Sequence, residues 1–359
     1  MIEALPVAQP IIMKINFNYV AALCIALSLS NCKKEQIAQP NKTASPSAEL
    51  SLARAAVASI NVQTLYGSPY AAGALADGQG MQARFNSPHG LQLMPDGSLY
   101  VADTKNNAVR KISTDGVVST VPLKPTEYGG ILTKPVYIGV EYNTGKIHIV
   151  QDGNGDGDPY DQSWIFKPNG DVITLSYIYY VNATVLARDP YTDIFYYSQG
   201  GGITQHLAQP EGEIYGMNVP FNRDKLLYPE NEARRGFSWD AIAVGYNKVV
   251  YFTTSGRIYK YTPGGVTERV FTDLNFSHIT SMIFNKDSRT MYVADNGYIK
   301  RVDSGKLTVI AGPRGTDDGR DGANLTADVH ANSLALGKGE NIIYFTDDLA
   351  NTVRSISLK

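Results

Sequence analysis

Beyond residue 59, short apolar runs alternate with clusters of Gly, Pro, Asn and Asp, and the β-branched and aromatic content of the runs predicts strands rather than helices. The pattern comes in units. Each has an apolar strand, a turn, and a second strand with an aromatic or His near its start, at Tyr100, His148, Phe195, Tyr251, Tyr292 and Tyr344. These anchors lie 48, 47, 56, 41 and 52 residues apart, close to the length of a four-stranded propeller blade. The spacing predicts an all-β chain, a six-bladed β-propeller of four-stranded antiparallel blades with strands a to d running outward from a central channel.

The outermost copies are the most alike. Thr64 to Ile112 recurs as Thr308 to Ile356 at an almost constant offset of 244 residues. Asp77-Gly78 answers to Asp321-Gly322, Leu99 to Asp103 answers to Ile343 to Asp347, and Asn107, Val109 and Arg110 answer to Asn351, Val353 and Arg354. The last copy stops after its third strand. Ile60 to Tyr66 precedes Asp77-Gly78 as Leu307 to Ile310 precedes Asp321-Gly322, so the N-terminal strand is expected to complete the last blade and close the ring. Asp103 and Asp347 stand at strand ends seven residues before Arg110 and Arg354; recurrence of the pair points to a structural ion pair fixing a hairpin.

The first copy reads Ala83 to Leu91, then Pro95-Asp96-Gly97-Ser98-Leu99-Tyr100-Val101-Ala102-Asp103, then Asn107 to Ile112, and it resembles an NHL repeat. The last copy shares the resemblance, the fifth (Met291 to Val302) shows it less fully, and copies two to four are degenerate. The resemblance implies the same six-bladed propeller. It implies function less narrowly, since such propellers bind proteins, RNA or small ligands and a few are enzymes.

With b–c turns and d-to-a crossovers on one end, that end collects the candidate chemistry. Asp152, Asn154, Asp156, Asp158 and Asp161 alternate with Gly between strands b and c of the second blade, an oxygen-rich loop of the kind that wraps a structural calcium ion. Alignment of the inner apolar cores places His89 level with Asp240, Thr280 and Asn332, and puts His278 and His330 two residues earlier. Histidines from blades one, five and six therefore approach one end of the channel. Pro88-His89-Gly90 is similar to the metal-ligand region of the peptide-amidating lyases, which implies as an alternative a metal-dependent lyase or hydrolase, with His89, His278, His330 and Asp240 as ligands or bases. The segment from Met217 to Phe237, with Arg234 and Arg235, forms a long crossover suited to a lid or partner surface, and blade three is dense in Tyr. His148 and His206 fall within strands and are read as packed.

Composition narrows the classes. A net charge of -2 with no basic run argues against a nucleic-acid partner. The two cysteines, Cys24 and Cys32, both precede the propeller: Met13-Lys14, the apolar Tyr19 to Leu29 and then Leu29-Ser30-Asn31-Cys32 resemble a bacterial lipoprotein signal, which implies lipidation of Cys32, translation from Met13 and no disulfide. Residues 1–32 are thus read as the signal, 33–58 as a flexible tether reaching about 30 Å, and 59–359 as the propeller. No Gly-x-Ser-x-Gly elbow, phosphate-cradling Gly loop or paired-cysteine metal motif occurs. The expectation is a monomeric, lipid-anchored envelope protein, in the outer membrane, that binds a protein, peptide or glycan at the b–c end without catalysis, through His89, Asp240, His278, His330, Asn332, Arg234 and Arg235.

Overall fold

The computed structural model describes residues 60–152, 161–178, 185–199, 202–207, 215–218, 240–262 and 267–358. Their strands form six antiparallel sheets. The inner strands are Pro88–Leu93, Pro135–Val140, Leu186–Arg188, Ala241–Val244, Ile279–Phe284 and Ala331–Leu336. Four sheets have four strands; the first and last have a short fifth, Gly78–Gln79 and Gly322–Ala323, at equivalent positions of the two most similar copies. The protein is a β-propeller of antiparallel four-stranded blades.

The apolar core is divided among the interfaces between neighbouring sheets. Trp164 and Phe166 of the second sheet pack with Ala102 and Val109 of the first, and Phe195 and Tyr197 of the third pack with Val150 of the second. The sixth sheet in turn packs on the first, with Val353 and Ala335 against Leu91 and Val101. Strand alternation produces this arrangement: one face of each sheet buries its side chains against the sheet before and the other against the sheet after.

The ring closes where the sequence places the closure. Asn61–Gly67 pairs antiparallel with Thr352–Ser357 as the outer strand of the last sheet. Thr64 adds a clasp, its backbone N–H and hydroxyl both donating to the Asp321 carboxylate at 2.9 Å.

Each hairpin turn is made by local chemistry. In the a–b turn of the first sheet, Asp96 Oδ1 accepts from the Ser98 N–H at 2.8 Å, and Gly97 takes a φ of +99° that favours glycine. On the b–c side, Asn107 and Asn351 adopt left-handed φ values of 54° and 57°. Their side chains accept from backbone N–H groups of the next sheet, Asn107 from Lys134 and Asn351 from Ser87, both at 2.8 Å, and so join neighbours.

The recurring Asp and Arg are fully buried pairs. Arg110 Nη1 meets Asp103 Oδ2 at 2.9 Å and its Nη2 meets Asp77 Oδ1 at 2.8 Å; Arg354 repeats this with Asp347 at 2.7 Å and Asp321 at 3.0 Å. The other Asp103 oxygen accepts from the Asn86 N–H, so each pair ties strand c to the segment leading into the inner strand.

The inner strands would otherwise present unpaired edges to the channel. Neighbouring side chains cover them: Ser333 Oγ accepts from the Leu91 N–H, Ser281 Oγ accepts from the Leu334 N–H, and the Gln92 amide both donates to and accepts from the Val140 backbone.

Candidate functional site

The inner strands surround a cavity of ≈ 380 Å³. Its walls run along the inner strands to the following a–b turns. The residue two places beyond each inner strand lines the mouth in all six sheets: Pro95, Tyr142, Pro190, Tyr246, Lys286 and Lys338. The cavity therefore opens at the a–b end, opposite the end to which the sequence assigns ligand capture. Tyr137 helps to floor it, reaching from the second sheet to donate its hydroxyl to the Asp240 carbonyl ahead of the fourth inner strand at 3.1 Å.

The mouth is chemically two-sided. On the second to fourth sheets it is aromatic. The Arg188 guanidinium lies 3.2 Å from the Tyr142 ring centroid and pairs with Asp193 at 2.8 Å, while Tyr191 meets Tyr246 edge-on at 5.3 Å. Burial pushes the Asp193 carboxyl up, but Arg188 and the N–H groups of Tyr142 and Asn143 outweigh it and hold Asp193 below the usual range. The Tyr246 hydroxyl is pushed up, first by burial and then by Tyr142, Glu340 and Tyr191, which all lie within electrostatic reach. On the fifth and sixth sheets the mouth is cationic. Lys286 and Lys338 are exposed, and among the described residues neither ammonium is paired with a carboxylate. Glu340 accepts from the Lys286 N–H at 2.5 Å, which engages part of its charge.

At the opposite end some of the expected polar residues meet. His330 Nδ1–H donates to Asp348 Oδ1 at 2.6 Å, and His89 Nε2 lies 3.9 Å from Asp348 Oδ2. Asp348 thus stands between two of the three expected histidines. His278 lies near Asp240, whose carboxyl is pushed up by burial against the opposing pull of His278 and the Ser255 N–H. Asn332 supplies its carbonyl to the Thr280 hydroxyl at 2.6 Å. None of His89, Asp240, His278, His330 or Asn332 lines the cavity. Among the described residues, no group of three or more His, Cys, Asp or Glu side chains is placed to hold a metal ion. Gly90 of the Pro88-His89-Gly90 motif has a packing explanation, since a Cβ there would meet the Val136 carbonyl at 2.7 Å.

Other expectations fall elsewhere. Arg234 and Arg235, and Asn154, Asp156 and Asp158 of the acidic loop, lie outside the described residues, as do the signal, Cys32 and the tether. Asp152 and Asp161 flank that loop. Of the Tyr-rich third sheet, Tyr196 and Tyr197 are buried and Tyr191 is exposed. His148 is a packed residue with a polar network of its own. Its Nε2–H donates to Glu141 Oε1 at 2.9 Å, its Nδ1 accepts from the Tyr197 hydroxyl at 2.6 Å, and its ring stacks on Phe195.

The two histidines at Asp348 differ in charge preference. The hydrogen bond to Asp348 raises the His330 pKa above the usual imidazole value, against burial, whereas burial lowers that of His89 despite the pull of Asp348 and Asp152. Burial also works against the Asp348 carboxylate, but His330 and then His89 hold its pKa low. The His330 pairing therefore stabilises the fold fully below pH about 6.5 and is lost as pH rises through the raised value; the Asp348 share is lost as pH falls through its depressed one. In an imidazole NMR titration, His330 should titrate above free histidine and His89 below it. Asp348→Asn should move both midpoints down.

Comparison with known proteins gives a repeat family and a fold. A family model for the NHL repeat matches residues 85–112. This chain carries an NHL repeat. The NHL repeat spans the capped inner strand, the Asp96-Gly97 turn and the strand that carries Arg110. No curated protein matches the chain. Among solved structures it resembles an auxiliary nutrient binding protein from Bacteroides ovatus ATCC 8483, with a TM-score of 0.59 and 16% identity over 83% of this chain and 76% of that one. A second protein so described, from Bacteroides thetaiotaomicron VPI-5482, gives 0.59 and 15% over the same shares. Virginiamycin B lyase from Staphylococcus aureus with quinupristin gives 0.50 and 12%, over 84% of this chain and 100% of that one. At such identities the likeness concerns the fold.

Proposed function

We propose that this NHL-repeat chain is a six-bladed propeller that works as a binding module, holding a small ligand in the channel cavity at its a–b end, and that a lipid on Cys32 anchors it to the cell envelope. The observation that carries this reading is the mouth itself. Six side chains at one repeat position surround a concavity whose volume falls near the lower end of small-ligand pockets. Their identities vary from sheet to sheet, Pro, Tyr, Pro, Tyr, Lys and Lys, while the strand–turn–strand frame around them recurs. A repeat fold that keeps its frame and varies its rim is suited to recognition. Two similar folds are described as auxiliary nutrient binding proteins, which supports a role as a binding module.

The test is calorimetric titration of the protein with neutral and charged saccharide mixtures, read against Tyr142→Ala/Tyr246→Ala. Saturable binding weakened about tenfold or more in the double variant is expected, since an aromatic contact stripped from a binding centre costs upward of about 1–2 kcal/mol. Binding untouched by that variant, or turnover abolished by His89→Ala in a folded protein, would overturn the reading.

A further inference from the structure

The division of the mouth into an aromatic arc and a cationic arc bears on which ligand fits. Resting on the capture reading above, we propose that the cavity takes the end of an acidic oligosaccharide, a sugar chain carrying a carboxylate or sulfate near its terminus. Tyr142 and Tyr246, with Pro95 and Pro190 between and beside them, line the side formed by sheets one to four. Arg188 covers one face of Tyr142, whose hydroxyl donates to the Leu93 carbonyl at 3.3 Å, so the flat apolar surface left for the C–H side of a sugar is the Tyr246 ring with the other Tyr142 face.

Sheets five and six contribute Lys286 and Lys338 at the same repeat position. The Lys286 ammonium donates to the Lys338 carbonyl at 3.3 Å, which draws the two residues together. Arg188, across the mouth, has its charge met by Asp193, and Glu340 on the same side as the lysines offsets part of their charge, so Lys286 and Lys338 together leave a positive surplus at the mouth. An anionic substituent held there makes charge-assisted hydrogen bonds that a neutral sugar cannot. Deeper in, Ser281 and Ser333 line the cavity, and their hydroxyls, which accept from backbone N–H groups, each carry an O–H able to donate to a sugar hydroxyl.

A peptide is disfavoured by the backbone. Peptides commonly bind a sheet by adding a strand to a free edge. Here Ser333, Ser281 and Gln92 already occupy backbone groups on the inner edges facing the cavity.

The experiment is an array of acidic and neutral oligosaccharides and of peptides probed with the full chain, followed by calorimetry on each hit with wild type, Lys286→Gln/Lys338→Gln and Tyr142→Ala/Tyr246→Ala. Acidic members should bind, weaken as salt rises, and lose about tenfold or more in affinity in the lysine variant, while the tyrosine variant weakens every saccharide. Carboxylated and sulfated arms distinguish the two sources of charge. Neutral members binding as well as acidic ones, unaffected by the lysine variant, would overturn the acidic preference and leave capture standing. No saccharide bound, or hits insensitive to both variants, would overturn this proposal. Peptide hits weakened by the tyrosine variant would replace the ligand class and keep the cavity.

Discussion

A chain that begins at residue 68 should fail to accumulate as a soluble monomer, whereas one that begins at residue 59 should keep the unfolding midpoint of the whole chain. The difference is one strand, Asn61–Gly67, whose removal would leave the last sheet with Thr352–Ser357 as an unpaired edge. It would also delete Val62, which is 1% exposed, and uncover Ile356, which packs in the same cluster. Each buried aliphatic side chain contributes about 1.5–3 kcal/mol. Loss of Val62, exposure of its partners and loss of a whole ladder approach the entire margin of a folded domain, about 5–15 kcal/mol. The bare edge adds a second penalty by offering a template for pairing with other chains. Size-exclusion chromatography and thermal melting of the two truncations check it. A monomeric chain from residue 68, melting within a few degrees of wild type, would show that the clasp is dispensable.

Much of this architecture is legible because repetition exposes it. Strand closure follows from the offset between Thr64 and Thr308 together with the early end of the last copy. The Asp–Arg pairs are legible for the same reason: a pairing that recurs in two copies with the same interval belongs to the frame, and both copies form it with both carboxylates.

The site was less legible, for two physical reasons. Asp348 joins His89 and His330, yet its counterpart in the first copy is Thr104, whose hydroxyl donates instead to the Pro135 carbonyl at 2.6 Å. A residue that breaks the repeat carries the information there, and comparing copies for similarity passes over it. The mouth residues were hidden by their surroundings. Tyr142, Tyr246, Lys286 and Lys338 sit in turns crowded with Asn, Asp and Gly, so turn formation accounts for the segment before its rim is considered. Their common signal is positional, the second residue after each inner strand, and it needs only the strand ends to be found. Which end of the channel stays open could not be read at all. It depends on Tyr137 reaching Asp240 from two sheets away, a contact between residues far apart in sequence.

Replacing Arg110 with Met should cost about 3–5 kcal/mol, the penalty for stranding a buried charge after removing its partner, and Arg354→Met should behave alike. Both guanidinium groups are 0% exposed. Arg110 also donates to the Arg84 and Ala76 carbonyls at 2.7 and 2.8 Å, so its loss leaves backbone acceptors without that donor as well as leaving Asp103 without its counter-charge. The variant should carry a signature in pH. Burial already pushes the Asp103 carboxyl up, and the Arg110 charge opposes it. Without Arg110 the folded-state value rises further above the unfolded one, so the folded form takes up a proton more readily, and the deficit shrinks as pH falls through that raised value. Asp103→Asn in the Arg110→Met background should recover part of the loss at neutral pH by removing the stranded charge, and should flatten the pH dependence. Urea unfolding of the two single variants and the double variant between neutral and mildly acidic pH measures all three effects. A loss under 1 kcal/mol for both arginine variants would mean that these pairs contribute little to holding strand c against its neighbours, and the structural reading of the repeat's most recurrent side chains would fall.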